Sequence, residues 1–331
     1  MILLNSFIKP DSYMITLKNT GMSQSYAIGI DVGGSSLKCG VVSQDGKILY
    51  STIVSLKNAK TESAIIELIA ETIQGCAKRI KRPILGVGIG FPGIIDDNKV
   101  IAGADNLPGF KQLGLSEILQ DLTDYTIVME NDANLMGLGE MIYGAAKNCS
   151  DVVFLTVGTG IGGAVMIDHK LYAGYRNRGT ELGHIVIQHN GLDCACGGKG
   201  CLEAYASIPA LLSYYQFIHP GLSEVEEVDG KYIIEKYLEG EAYAVKAMGL
   251  HFDYMATGII SFINIFSPQK IVIGGGISEA GSFYTREIAK RIKSPVVPVS
   301  STDALVVSAK LGNKAGLLGC AANVFEKIKA F

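Results

Sequence analysis

At 331 residues, with 48% hydrophobic and 18% charged positions, the chain is long enough for two compact domains and too apolar for a disordered one. A net charge of -3 and a pI near 6.0 give no electrostatic reason to expect a nucleic-acid partner. No stretch reaches the roughly 18 uninterrupted apolar residues of a membrane span; the nearest, Met255 to Phe266, is short and contains Asn264.

Residues 1–25 read as an N-terminal extension with neither a basic leader nor a cleavage signal, and Met22 is an alternative start. Tyr26–Val32 then reads as a buried strand, Gly33-Gly34-Ser35-Ser36 as a turn and Leu37–Val42 as a second strand. Gln44-Asp45-Gly46-Lys47 turns the chain into a third strand, Ile48–Ser55. Apolar residues at Ile65, Ile66, Ile69, Ile73 and Ala77 give Thr61–Lys81 one helical face. A strand over Ile84–Ile89 runs into Phe91-Pro92-Gly93, a short helix is expected over 115–122, and Thr126–Met129 is a strand. Asn131-Asp132-Ala133-Asn134 opens a helix to about Tyr143.

The second half begins in the same way. Val152–Val157 is a strand, Gly158-Thr159-Gly160-Ile161-Gly162-Gly163 a turn, and Ala164–Ile167 the returning strand, about 125 residues after the first such unit. The repeat is one of topology rather than of sequence. Helices follow near 203–217, 231–238 and 241–266. Lys270–Ile273 is a strand ending on Gly274-Gly275-Gly276, Ser282–Lys293 a helix, Leu305–Ser308 a late strand and Ala315–Lys329 a last helix. The pattern is α/β, two mixed domains around a cleft.

Gly158 to Gly163 formally satisfies G-x-G-x-x-G. A dinucleotide site needs a helix after those glycines, and here a strand follows, which argues against a Rossmann fold. No G-x-x-x-x-G-K-[ST] is present either. A glycine hairpin can still hold phosphate on backbone N–H groups. Asp31 before the first hairpin would be repelled by phosphate unless Mg²⁺ lay between them, which points to a magnesium nucleotide.

Seven cysteines are present, and Cys194, Cys196 and Cys201 fall within eight residues, ten after His184. One imidazole and three thiolates are the donor set of a closed, structural zinc site, and free thiols fit a reducing cytoplasm. Cys39, Cys76, Cys149 and Cys320 stand alone in apolar surroundings and read as buried small hydrophobes. Asp132 follows a strand at a helix start, where it could cap the helix or take a proton from a substrate hydroxyl. Asn106, Asn131, Glu181, His184 and Glu203 are amides, carboxylates and an imidazole suited to neighbouring sugar hydroxyls.

From about Tyr26 onward these motifs together resemble the ROK family of sugar kinases and repressors. Asp31-Val-Gly33-Gly34-Ser35 resembles its first phosphate motif, Thr156-Val-Gly158-Thr159-Gly160 its second, and Gly274-Gly275-Gly276 its adenosine loop. Glu130-Asn131-Asp132-Ala133-Asn134 is similar to its catalytic stretch. Glu181-Leu-Gly183-His184 with Cys194-x-Cys196-Gly-x-x-Gly-Cys201-x-Glu203 matches its zinc and sugar motif, the most specific of the set.

The resemblance implies a two-lobed actin-like ATPase (ribonuclease H-like) fold with an interlobe cleft. It divides the chain into an N-terminal lobe at 26–137, with a last helix at about 315–331 packing back on it, and a C-terminal lobe at 138–314 carrying the zinc. It implies a cytoplasmic, ATP- and Mg²⁺-dependent hexose kinase, most readily of glucose at O6, with Asp132 as base. Gly93, Asn106, Asn131, Asp132, Glu181, His184 and Glu203 would hold the sugar. Asp31, Gly33, Gly34, Ser35 and Lys38 would serve the nucleotide together with Gly158–Gly160 and Gly274–Gly276, and a homodimer is expected. Fructose, N-acetylmannosamine or N-acetylglucosamine kinases and a non-catalytic sugar sensor share these motifs. Repressors of the family carry an N-terminal helix-turn-helix domain, which ~25 residues cannot build.

Overall fold

The computed structural model describes residues 24–103, 107, 109–219, 221, 228–292 and 304–328. A first sheet begins with β1 (Tyr26–Val32), β2 (Ser36–Ser43) and β3 (Ile48–Ser55), an antiparallel meander. Thr61 caps α1 (Glu62–Arg79) by accepting from the Ala64 N–H at 3.3 Å. β4 (Ile84–Phe91) pairs parallel to β1. β5 (Gly93–Asp96), β6 (Lys99–Gly103) and β7 (Lys111–Leu113) form a small antiparallel sheet, and α2 (Leu115–Thr123) leads to β8 (Ile127–Asn131), parallel to β4. The sheet order is β3-β2-β1-β4-β8.

After α3 (Asp132–Tyr143) the plan repeats. β9 (Val152–Val157), β10 (Ile161–Ile167) and β11 (Lys170–Tyr172) form an antiparallel meander. It is followed by α4 (Leu202–Ala206), α5 (Ile208–Ile218), α6 (Gly230–Leu238), α7 (Ala242–Phe266), β12 (Lys270–Gly274), α8 (Ser282–Ile292), β13 (Leu305–Ser308) and α9 (Ala315–Ile328). The second sheet, β11-β10-β9-β12-β13, has the first sheet's topology strand for strand, with β12 parallel to β9 and β13 parallel to β12. The repeat read from the sequence is therefore one of whole sheets.

Two large cores fill the outer faces. One packs α1 and α2 on the first sheet through Ile28, Ile30, Ile69 and Ile89; the other packs the helices after β11 on the second sheet through Leu155, Leu202, Phe252 and Ile273. On the inner side the two connecting helices exchange sheets. α3 leaves the first sheet and buries Leu135 and Leu138 against Phe154, Ala164 and Met166 of the second. α9 leaves the second and buries Leu317, Ala321 and Val324 against Ala27, Val42 and Val128 of the first. The helices cross in backbone contact: a Cβ on Gly139 would lie 2.5 Å from the Ala315 carbonyl oxygen, and one on Gly319 would overlap that of Leu135.

Several expectations need correction. The helix expected over 203–217 is two, because Ser207 is extended (φ -76, ψ 169) and caps α5, with Pro209 in its first turn. β10 begins at Ile161, so Gly162 and Gly163 are strand residues rather than part of the turn. The small sheet over 93–113 was not expected, since its short strands carry little alternation to read. The lone cysteines Cys39, Cys76, Cys149 and Cys320 are buried, as expected. Most of the N-terminal extension, Asn106, Lys293 and Lys329 lie outside the described residues.

Candidate active site

The first sheet delivers its chemistry at the carboxyl ends of β1 and β8. Asp31, near the end of β1, is 4% exposed, and Lys38 Nζ on the neighbouring β2 lies 3.3 Å from its Oδ2. Burial raises the Asp31 carboxyl above its ordinary range, and the Lys38 ammonium opposes that shift. At the end of β8, Asn131 is the residue that caps α3. Its Oδ1 accepts from the Asn134 N–H at 3.1 Å, and its Nδ2 donates to the Gly93 carbonyl at 3.0 Å. Asp132 is therefore relieved of capping.

The Asp132 carboxylate accepts from the Ala133 N–H at 2.9 Å and faces the cleft. Burial pushes its pKa up to about 6 against the lowering effect of that N–H, with the like charges of Asp31 and Glu181 acting in the same direction. A carboxyl held near neutrality is a competent proton acceptor for a hydroxyl.

Asp132 lines the first of two neighbouring cavities of about 90 Å³ each, and Asp31, whose charge acts on it, lines the second. The first brings together Gly93, Asn131, Asp132 and Glu181 with Gly162, Asn177 and Thr180. The second brings together Asp31, Lys38, Gly275 and Gly276 with Thr156, Gly312, Asn313 and Gly316. They adjoin where Gly162 of β10 pairs with Thr156 of β9, and the absence of a side chain at Gly162 seats the first turn of α3, with Ala133 Cβ 3.1 Å from where a Cβ would stand. Gly275 (φ 84) turns the chain from β12 against the backbone of Val157.

The other glycine-motif residues expected at the site line neither of these two cavities. Gly33 closes its hairpin by donating to the Ser36 carbonyl at 2.9 Å, while Gly34 and Ser35 border a separate groove with Lys57 and Lys60. Gly158 and Gly160 close the second hairpin with a 2.9 Å bond, which leaves the Thr159 side chain exposed, and Gly274 ends β12. Asn177 and Thr180 were missed, although they lie just before Glu181. Nothing in their residue types marks them, because what brings them in is a run of left-handed backbone at Arg176, Asn177 and Thr180.

His184 and Glu203 converge on the cysteine cluster. The ligand atoms of His184, Cys194, Cys196 and Cys201 all lie within 4.8 Å of one another. Cys196 Sγ and Cys201 Sγ are 3.7 Å apart, and Cys194 Sγ is 3.6 Å from His184 Nδ1. A tetrahedral ion with bonds of about 2.3 Å to sulfur and about 2.0 Å to nitrogen needs edges of about 3.8 Å and about 3.6 Å, so the donors fit it. Glu203 binds the Ile161 N–H through Oε2 at 2.8 Å and lies 3.8 Å from Cys194 Sγ through Oε1. It joins the cluster to the second glycine hairpin.

No helix among the described residues is long and apolar enough to cross a membrane. The chain is 35% identical over 311 residues to a glucokinase of Thermotoga maritima, covering 91% of this chain and 98% of that one. It is 30% identical to a putative xylose repressor of a Caldicellulosiruptor species, covering 95% of this chain and 80% of the other. Among solved structures it superposes on a ROK family glucokinase from Streptomyces griseus, in complex with glucose and AMPPNP, with a TM-score of 0.78 and 30% identity over 91% of this chain and all of that one. The two-lobed actin-like fold follows from these likenesses and from the paired sheets. The ROK family model matches residues 27–327, and the chain belongs to the ROK family.

Proposed function

We propose that the protein is an ATP-dependent hexose kinase that phosphorylates glucose at O6, with Asp132 as general base. The observation that carries this reading is the position of Asp132, a carboxyl of pKa about 6 that lines the first cavity, next to the second across the Gly162–Thr156 pair. The glucokinase relatives and the glucose- and AMPPNP-bound neighbour support it.

The sugar is assigned to the cavity of Asn131, Asp132 and Glu181, with Asn106 and His184 as further ligands. Asn131, with its Oδ1 on Asn134 and one amide hydrogen on Gly93, keeps one hydrogen for a sugar oxygen. Asp132 Oδ accepts the proton of the attacking hydroxyl, and the resulting carboxylic acid persists only while the cleft excludes water. ATP with Mg²⁺ supplies the transferable phosphoryl group from the second cavity. There Lys38 and the backbone of Gly276 offer positive charge and a donor to phosphate, and Asp31 fits the metal's preference for oxygen. The cysteine cluster is assigned to structural zinc, since four protein ligands leave no open position. Its role is to fix His184, with Glu181 one turn before it and Glu203 just after Cys201.

The lobe boundary read at 137/138 falls inside α3. We assign the hinge to the crossing of α3 and α9, where each helix packs on the sheet it does not follow. A homodimer in the cytoplasm completes the reading and is checked by light scattering.

The test is coupled ADP release over a panel of hexoses and N-acetylhexosamines. Glucose should give the highest kcat/KM, and Asp132→Asn should abolish turnover while glucose still binds. Near wild-type turnover in that variant overturns the base assignment. The xylose repressor relative supports a second reading, a non-catalytic sugar sensor, which predicts sugar binding without ADP release.

A further inference from the structure

Glu130 takes no part in the chemistry above, yet its carboxylate is among the most heavily engaged in the molecule. The residue is 3% exposed. Its Oε1 accepts from the Asn131 N–H at 3.0 Å and from Asn134 Nδ2 at 3.2 Å, and Lys327 Nζ lies 3.8 Å from Oε2. From the other side of the cleft, Asn177 Nδ2 approaches both oxygens, at 3.4 and 3.2 Å.

A carboxylate only accepts hydrogen bonds, so it dictates which end of the Asn177 amide turns toward it. The NH₂ group faces Glu130, and the carbonyl Oδ1 is left on the opposite side of the same planar group. Asn177 lines the cavity that holds Asp132 and Glu181. Its loop is fastened for that purpose. Arg176 (φ 55), Asn177 (φ 51) and Thr180 (φ 61) are all left-handed, a costly run that persists only where the surroundings hold it. Arg176 Nε meets Asp96 Oδ2 of β5 at 3.4 Å, a second tie across the cleft.

We propose that Asn177 is a specificity-determining residue of the sugar cavity, its Oδ1 accepting a hydrogen bond from a hydroxyl other than the one Asp132 deprotonates. Glu130 is its positioning residue. The inference rests on the sugar-kinase reading of the cavity. A sugar lacking the matching hydroxyl leaves a polar acceptor without a partner, a larger penalty than a missing apolar contact.

The experiment uses Asn177→Gly, which keeps the left-handed backbone free of strain. Its KM for glucose should rise about tenfold while KM for ATP stays within twofold. Across the monodeoxyglucoses, one analogue should be disfavoured by wild type and not by Asn177→Gly. Glu130→Gln should raise the glucose KM in the wild-type background and change it less than twofold in the Asn177→Gly background. A glucose KM within twofold of wild type for Asn177→Gly, or an equal effect of Glu130→Gln in both backgrounds, overturns the inference. Calorimetric glucose Kd values on the same proteins read the contact whether or not phosphate is transferred. Failure of the kinase reading, seen as absent wild-type turnover, therefore leaves those ratios to decide this one.

Discussion

Gly316, in the first turn of α9, leaves no room for a side chain beside Asp31: a Cβ there would lie 2.6 Å from both Cγ and Oδ2 of the carboxylate. Alanine is ordinarily worth about 1 kcal/mol over glycine in a helix. Here Gly316→Ala should instead displace Asp31 from Lys38 and narrow the cavity they share. Steady-state kinetics should show a loss of tenfold or more in kcat/KM for ATP, with the sugar KM little changed. Gly75→Ala on α1, where a Cβ meets nothing within 4 Å, is the control and should be stabilising and kinetically silent.

The raised pKa of Asp132 fixes the acid side of the pH profile. A base must be ionised, so kcat/KM for glucose should fall as pH drops through about 6. The stability effect has the opposite sense. The folded carboxyl binds its proton near 6 and the unfolded one near 3.8, so this group destabilises the fold at neutral pH and the penalty is relieved as pH falls between those values. Asp132→Asn should therefore raise Tm at pH 8 while abolishing transfer. An unchanged or lower Tm would contradict the assigned environment.

His251 makes a prediction of the other sign. It is fully buried on α7, with Nε2 2.7 Å from the Tyr284 hydroxyl and Nδ1 without a partner among the described residues. Burial lowers its pKa from 6.5 to about 3. The unfolded chain takes up this proton first, so the stability conferred by the neutral ring is complete above about 6.5 and is lost as pH falls toward 3. Between pH 6 and 4, urea unfolding of wild type minus His251→Gln should show a slope approaching ~1.4 kcal/mol per pH unit. Parallel curves for the two proteins would rule the histidine out.

What the sequence made legible divides along a physical line. α1 was readable because burial of one face imposes a period on the chain, and β1 because it is buried throughout and reads as one apolar run. Asp132 and the cysteine cluster were readable because their spacing is local. Of the exchange of α3 and α9 between sheets, the family resemblance implied only the return of the last helix to the first lobe. The crossing itself was not readable, since Gly139 and Gly319 matter only as a pair 180 residues apart. Asn177 was hidden for a related reason: its role comes from Glu130, 47 positions away, and from backbone angles that its residue type merely permits.

The zinc assignment predicts a coupled loss. Elemental analysis should find one zinc per chain, and Cys201→Ser should lower both metal content and Tm, because Cys201 is 2% exposed and its backbone bridges to Val186. Glucose affinity should fall in the same variant, through His184 and through the Glu203 tie to Ile161. A metal-free protein that resists chelators and binds glucose normally would refute both the ion and its role.

Glu140 offers a test of how the nucleotide cavity is held to the catalytic helix. It is fully buried near the end of α3, and its carboxylate accepts from three backbone N–H groups: Ala145 at 2.7 Å, Lys310 at 3.1 Å and Leu311 at 2.7 Å. Residues 310 and 311 lead directly into Gly312 and Asn313, which line the cavity of Asp31 and Lys38. The helix that begins with Asp132 thus ends by gripping the loop on the nucleotide side. Glu140→Gln keeps the size but replaces one acceptor oxygen with a donor, which must face at least one N–H. The expected cost is about 1–3 kcal/mol of stability from the unsatisfied donors. If the grip aligns the two cavities, KM for ATP should also rise several-fold at temperatures where the variant is fully folded, with the glucose Kd unchanged. Equal changes in ATP and glucose parameters would mean that Glu140 serves only the fold.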